Sequence, residues 1–264
     1  MTSPDYTSFK ALAFDIYGTL IDWETSIAVH FQHHIGEDDP KKVSRDEVIK
    51  IFKKHEHNIQ QSSPTKPYRN IANEAAKLTD AELSSITGVT TGLLAERVNI
   101  KDWPAFPDTV EAMHRLKAYY RLIALSNIDH ASFSSTLSGA LSSVSFDATY
   151  IAEDIGSYKP DPRNFEYLIS HAESEFGLDK KEILMVAHGL KTDHVVLPKV
   201  GMERGVWIMR GDSEKLKSEA EKMDIGASFE TLGDFADAVE RAFEDRKGTA
   251  GKGGQEESVG EALV

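Results

Sequence analysis

The sequence predicts an α/β protein with a largely parallel sheet and a helical insertion. Three observations predict it. Short apolar runs recur along the chain and stop abruptly at polar residues. Helical apolar spacing fills most of the intervals between them. The interval after the first run, from about Leu20 to Lys101, is helical in pattern and has no clear strand.

The first run, Lys10–Phe14, ends at Asp15 and reads as a strand buried on both faces. The insertion follows, with candidate helices Thr25–His34, Arg45–Gln60, Ile71–Leu78 and Thr90–Val98 and a turn-rich break at Ser62–Pro67. Its links to the rest of the chain fall near Ile21–Glu24 and Trp103–Pro107. Thr109–Tyr119 then places Val110, Met113, Leu116 and Ala118 near one helical face. Arg121–Leu125 is a second strand run, ending at Ser126-Asn127, and Phe146–Ile151 is a weaker one. A helix over Asn164–Ala172 precedes the run Glu182–Ala187, and a helix over Thr192–Val200 precedes the run Gly205–Met209, which stops at Arg210. Thr231–Phe243 closes the pattern with Leu232, Phe235, Val239 and Phe243 at helical spacing. The predicted division is a core of residues 1–20 and 104–245, a helical cap of residues 21–103, and a glycine-rich tail, 246–264, expected to be disordered.

Composition excludes several classes of function. The 264 residues carry 43 acidic and 30 basic side chains, a formal net charge of −13. That sign repels phosphate backbones, and no local basic patch offsets it, so no nucleic-acid partner is expected. With no cysteine there is no disulfide, thiolate nucleophile or cysteine-bound metal. The start MTSPDYTSFK has no apolar signal region and no run approaches a membrane span, so the expectation is a soluble cytoplasmic protein with no membrane partner.

Chemistry in parallel sheets collects at the carboxyl ends of strands. Asp15-Ile-Tyr-Gly-Thr19 begins at such an end: Asp15 can aim a carboxylate into a cleft, Gly18 allows the turn, and Thr19 can orient the carboxylate. The same pentapeptide reads equally well as a capping aspartate before a loop. Ser126 and Asn127 can hold an anionic oxygen or simply make a turn. Lys159, in Tyr158-Lys-Pro-Asp-Pro162, can keep a neighbouring carboxylate ionised or can be a solvated surface charge. Asp193 can act on water, bind a metal, or favour a helix N-terminus. His30, His33 and His34 read as a polar helix face rather than a metal site, because no acidic or cysteine partner accompanies them. Trp23 and Trp103 flank the links, where they pack a hinge or wall a cleft, and Asp22 and Glu24 read as solvated.

The order of these residues carries a resemblance. Asp15, Ser126, Lys159 and Asp193 match the four motifs of the haloacid dehalogenase superfamily in sequence, over about Ala11 to Phe243. The resemblance implies a Rossmann-like core with an inserted helical cap. Within the superfamily, phosphatases usually carry Asp two residues after the nucleophile, and this chain has Tyr17, a poor proton donor near neutral pH. Asp-x-Tyr-Gly-Thr looks like the type II, L-2-haloacid dehalogenase branch, which works without metal. The resemblance therefore implies that Asp15 attacks C2 of an L-2-haloacid and forms an aspartyl ester, which water hydrolyses to a 2-hydroxy acid. Lys159 would stabilise Asp15, Thr19 would orient it, and Asp193 would help activate the water. Ser126 and Asn127 would hold the substrate carboxylate, with Tyr17 and His188 around it; Arg69 is the candidate for the family's cap arginine near the halide, its alternative reading being a surface arginine. No metal ligand and no cofactor is implied, Mg²⁺ entering only under a phosphatase alternative. The implied partners are a small carboxylic acid and a second copy in a homodimer.

Three departures stand out. The segment Val186–Asp193 is one residue longer than the family's fourth motif and lacks its Ser-x-Asn pair, and His188 either substitutes for that pair or only packs. Phe165 stands where the family often has Tyr. These motivate one rival, a phosphatase or other small-molecule hydrolase or lyase on the same fold; a second rival, a catalytically silent binding protein that keeps the fold, is opposed by the intact Asp15, Ser126, Lys159 and Asp193.

Overall fold

The structure is a computed structural model and describes residues 4–36, 39, 41–89, 98–210 and 214–253. Six strands form one parallel sheet: β1 Ala11–Phe14, β2 Arg121–Ser126, β3 Ala148–Ile151, β4 Ile183–Ala187, β5 Val206–Ile208 and β6 Ala227–Phe229. Their spatial order is β3-β2-β1-β4-β5-β6. The chain thus builds outward from β1 in one direction, then returns to β1's other side with β4. This is the order of doubly wound folds, which open a crevice outside the strands' carboxyl ends where the direction switches.

The apolar runs are continuous because both sheet faces are covered. Leu12 and Phe14 join one buried cluster with Met113 and Leu116 of α4 (Thr109–Lys117) and with Phe235 and Val239 of α10 (Leu232–Gly253). Ala11 and Ala13 point the other way, into a cluster with Phe165 and Leu168 of α7 (Pro162–Phe176) and Leu197 of α8 (Leu197–Val200). Alternate residues of one strand therefore serve two cores. Phe165, singled out above for lacking a hydroxyl, is wholly buried in the second core.

Between β1 and α4 lie α1 (Trp23–His30), α2 (Arg45–Ser62) and α3 (Tyr68–Thr87). Ser44 caps α2 through Glu47 N, and Gly88, at φ 70°, closes α3. α3 continues past Leu78, where Thr79 turns its hydroxyl back to Ala75 O, at 2.7 Å, and Asp80 is buried against His34. His34 corrects the reading of a polar face. Its ring is wholly buried, Nδ1 lying 3.0 Å from Thr87 Oγ1 and Nε2 3.4 Å from Asp80 Oδ1, so it fastens the end of α1's extension to α3. His33 is exposed. The expected helix over residues 90–98 falls almost wholly outside the described residues.

The two links run side by side. Asp22 N donates to Pro104 O at 2.8 Å, and Phe106 N donates to Leu20 O at 3.1 Å. Trp23 and Trp103 are both buried there. Asp22 caps α1, accepting from Thr25 N, and Glu24 pairs with Lys53. Arg210 staples this junction to the end of β5: Nε donates to Thr19 O at 2.9 Å and Nη1 to Asp108 Oδ1 at 2.6 Å, with the guanidinium over the Phe106 ring. Burial alone would raise the Asp108 pKa, but Arg210 outweighs it and holds the carboxyl below its ordinary range. Arg210→Ala strands that half-buried carboxylate and is expected to cost about 3 kcal/mol, the low end for breaking a buried pair. Chemical denaturation of variant and parent measures it.

Several elements differ from expectation. β3 is the weak fifth run, shortened to Ala148–Ile151. β6 was not predicted, being three partly exposed residues at the sheet edge. α5 (His130–Ser138) and α9 (Glu214–Ala220) were also missed, and α6 (Ala152–Ile155) is a single turn. The predicted helix over Thr192–Val200 is divided into a π-helical turn, Leu190–His194, and the short α8. The tail boundary also moves: α10 runs to Gly253, beyond Arg246, whose Nη1 donates to Thr7 O. Residues 254–264 lie outside the described residues. Among the described residues, no helix is long and apolar enough to cross a membrane.

Candidate active site

Asp15 follows β1 directly, Ser126 ends β2, and His188 follows β4, so the three central strands deliver their last residues to one crevice. Asp15 is almost completely buried, and both its carboxylate oxygens are held. Oδ1 accepts from Lys159 Nζ at 2.8 Å and Oδ2 accepts from Thr19 Oγ1 at 2.8 Å. Thr19 is fixed in turn by His188 N, which donates to its Oγ1 at 2.9 Å. Gly18 makes the tight turn between the two at φ 94°, a conformation that favours glycine.

Lys159 is the hub. Its Nζ also donates to Asp193 Oδ1 at 2.7 Å and to Leu125 O at 2.8 Å. Burial opposes its charge, but the Asp15 and Asp193 carboxylates outweigh burial and raise its pKa, so it stays an ammonium. Asp193 has no exposed surface, and burial raises its pKa to about 6 despite Lys159. The loop that carries Lys159 is pinned by Asn127, whose Oδ1 accepts from Lys159 N at 2.6 Å and whose Nδ2 donates to Lys159 O at 3.1 Å. Asn127 therefore positions Lys159 through its side chain, and it also lines the cavity above Asp15.

A cavity of about 540 Å³ opens above Asp15. Asp15 and Ser126 line it from the strand ends, Lys159 from the loop before α7, and His188, Gly189 and Thr192 from the segment after β4. Tyr17, Trp23 and Tyr68 form an aromatic wall, and Glu56, His57 and Gln60 of α2 close the far side. Tyr17 donates its hydroxyl to Thr136 Oγ1 at 3.0 Å, since Thr136 spends its own proton on Ser132 O. Burial raises the Tyr17 pKa, which keeps the phenol protonated. His188 Nδ1 lies 3.0 Å from Ile208 O, an acceptor, which assigns the proton to Nδ1.

Arg69 is not brought to this cavity. Its side chain is exposed, and it is its backbone N–H that is used, donating to Asp129 Oδ2 at 2.7 Å. Two residues not singled out from the sequence are present instead. Tyr68 OH donates to Glu56 Oε1 at 2.8 Å, and burial raises the Glu56 pKa. The signal for Glu56 was available: it falls between Phe52 and Ile59 on the apolar stripe of α2, where a solvated carboxylate has no place.

The segment before Asp193 forms a π turn over Leu190–His194. His194 N donates to Gly189 O and Val195 N to Leu190 O, five residues apart, and such a bulge accommodates one inserted residue without shifting its flanks. Asp193 still reaches Lys159. Gly189 is required there: a Cβ would lie 2.1 Å from Thr192 Oγ1 and 2.4 Å from Asp193 Oδ2.

The comparisons with known proteins agree with this architecture. The model of the haloacid dehalogenase-like hydrolase family matches residues 9–193, and the chain belongs to that family of hydrolases. The (S)-2-haloacid dehalogenase 4A of Burkholderia cepacia is 25% identical over 189 residues, covering 68% of this chain and 75% of the relative. The L-2-haloacid dehalogenase of Xanthobacter autotrophicus, solved with chloropropionic acid covalently bound, superposes with a TM-score of 0.68 at 18% identity, over 88% of this chain and 98% of that one. A dehalogenase solved with an intermediate complex gives 0.69 at 20% identity, over 86% and 96%. At these identities the structural likenesses show the fold.

Proposed function

We propose that the chain is a metal-independent 2-haloacid dehalogenase in which the inserted helices act as a cap over the site. The observation that carries this reading is the Asp15 carboxylate, held at the cavity floor by Lys159 and Thr19 with a pinned, protonated Tyr17 beside it. Asp15 attacks C2 of an L-2-haloacid, the carbon–halogen bond breaks, and halide leaves with its electron pair. Halide needs no proton, so a neutral phenol at position 17 is no handicap. Water then attacks the Asp15 ester carbonyl and the 2-hydroxy acid departs, its centre inverted once. Lys159 supplies the positive charge between Asp15 and Asp193. The substrate carboxylate sits toward Ser126, and the working form is a dimer in the cytoplasm.

The test is halide release from L- and D-2-chloropropionate with and without EDTA, beside a phosphatase assay with Mg²⁺. Release from the L enantiomer, indifferent to EDTA, is the expected result. Release from neither enantiomer sinks the reading. One observation favours a second reading. Glu56 lines the same cavity with a pKa raised by burial, a shift in the direction that suits a proton donor to an alkoxide leaving group, which halide does not require. Phosphate release with Mg²⁺ and no halide would select it.

A further inference from the structure

Ester hydrolysis needs a base that meets water, and Asp193 is walled off from the cavity. It has no exposed surface. Its Oδ1 faces Lys159 Nζ at 2.7 Å, and its Oδ2 accepts from Thr192 Oγ1 at 2.7 Å. Thr192 lies between Asp193 and the cavity, half-buried and lining the same space as Asp15. A hydroxyl that gives its proton to a carboxylate keeps its lone pairs for another donor. On the cavity side those lone pairs face the space above Asp15.

We propose that Thr192 binds the hydrolytic water and relays its proton to Asp193, a role that rests on the dehalogenase reading above. As the water oxygen bonds to the Asp15 ester carbon, its O–H bond breaks and the proton passes to Thr192 Oγ1. The Thr192 hydroxyl proton moves to Asp193 Oδ2 in the same step. When the tetrahedral adduct collapses, the bond from the acyl carbon to the substrate oxygen breaks, and the leaving alkoxide takes a proton back from Asp193 along the same path. The acid regenerated on Asp15 loses its proton to solvent, so the turnover releases one halide and one proton.

The backbone is built around this pair. The π turn carries Thr192 over Asp193, and Gly189 leaves the space that any side chain would take from the Thr192 hydroxyl and the Asp193 carboxylate. Burial raises the Asp193 pKa, and esterification of Asp15 removes one charge that adds to the rise, so Asp193 meets the water as a carboxylate that can accept a proton and return it. This also accounts for the missing Ser-x-Asn pair: the longer segment delivers a hydroxyl from the residue adjacent to the aspartate.

The experiment mixes L-2-chloropropionate with wild type, Thr192→Val, Thr192→Ala and Thr192→Ser, and follows halide, intact mass and the pH profile. Wild type is expected to turn over with an acid limb that lies below pH 6, because the ester removes the Asp15 charge that helps raise the Asp193 pKa. Thr192→Val and Thr192→Ala are expected to release one halide per chain, accumulate the Asp15 ester, and turn over about 10²–10⁴-fold more slowly, the usual contribution of proton transfer by a positioned group. Their residual rate should lose that acid limb, and Thr192→Ser should restore rate and limb. If either folded variant turns over at the wild-type rate, or slows without accumulating ester, the relay is wrong. The alanine variant carries the test if the valine variant does not fold. Wild type that yields neither halide nor adduct would instead overturn the dehalogenase reading, and the relay with it.

Discussion

Asp15→Asn is expected to remove halide release and the covalent adduct together, lowering turnover at least about 10⁴-fold, the scale seen when a nucleophile is deleted. The fold should survive. The wild-type site holds two carboxylates, Asp15 and Asp193, on one ammonium, Lys159, all buried. Replacing Asp15 by a neutral group of the same shape leaves the Lys159–Asp193 pair balanced at 2.7 Å. Stability should therefore be unchanged or higher, and the Asp193 pKa should fall from about 6, because Asp15 is one of the groups that raise it. Intact mass after exposure to L-2-chloropropionate, together with thermal unfolding, separates the two effects. Turnover retained by a well-folded Asp15→Asn would remove Asp15 from the chemistry.

What could be read from the sequence follows the physics of burial. β1, β2, β4 and β5 are buried on both faces, so they announce themselves as unbroken apolar runs. β6 is a three-residue edge strand that is only half covered, and it leaves no such run. α5 buries Ser132, Phe133 and Thr136, too polar a face to register as an apolar stripe. Asp15, Ser126 and His188 are legible because the strand ends dictate where they meet, whatever the loops do. Arg69 is not, because sequence places a backbone and does not aim a long side chain: here the main chain of that residue is engaged and the guanidinium is outside. The π turn is likewise hidden. An extra residue reads equally as a longer loop, and the apolar spacing from Thr192 onward suits an α-helix. Hydrogen bonds at Gly189 and Leu190 decide it.

Lys159→Met should do the opposite of Asp15→Asn to stability. It leaves two buried carboxylates facing each other with no cation between them. Removing one partner of a buried ion pair costs about 3–5 kcal/mol, on the order of 10 °C in melting temperature for a chain of this size. The loss carries a pH signature. Asp193 already has a folded-state pKa raised by burial to about 6, against 3.8 as its ordinary value. Lys159 is the group that opposes that rise, so removing it pushes the pKa higher still. A carboxyl with a raised folded-state pKa binds more protons folded than unfolded, so its contribution is fully present below the unfolded pKa and is lost as pH rises through the folded one. The variant's deficit should therefore be small near pH 5 and grow through pH 6 and above. Lys159→Met combined with Asp193→Asn removes one of the stranded charges and should recover much of the deficit at neutral pH, while activity stays absent for want of both groups. Melting curves of wild type, single and double variants at both ends of that range test it. An equal deficit at low and neutral pH would mean that Lys159 supports the fold by packing and by its bond to Leu125 O, and that the charge balance at the site's centre lies elsewhere.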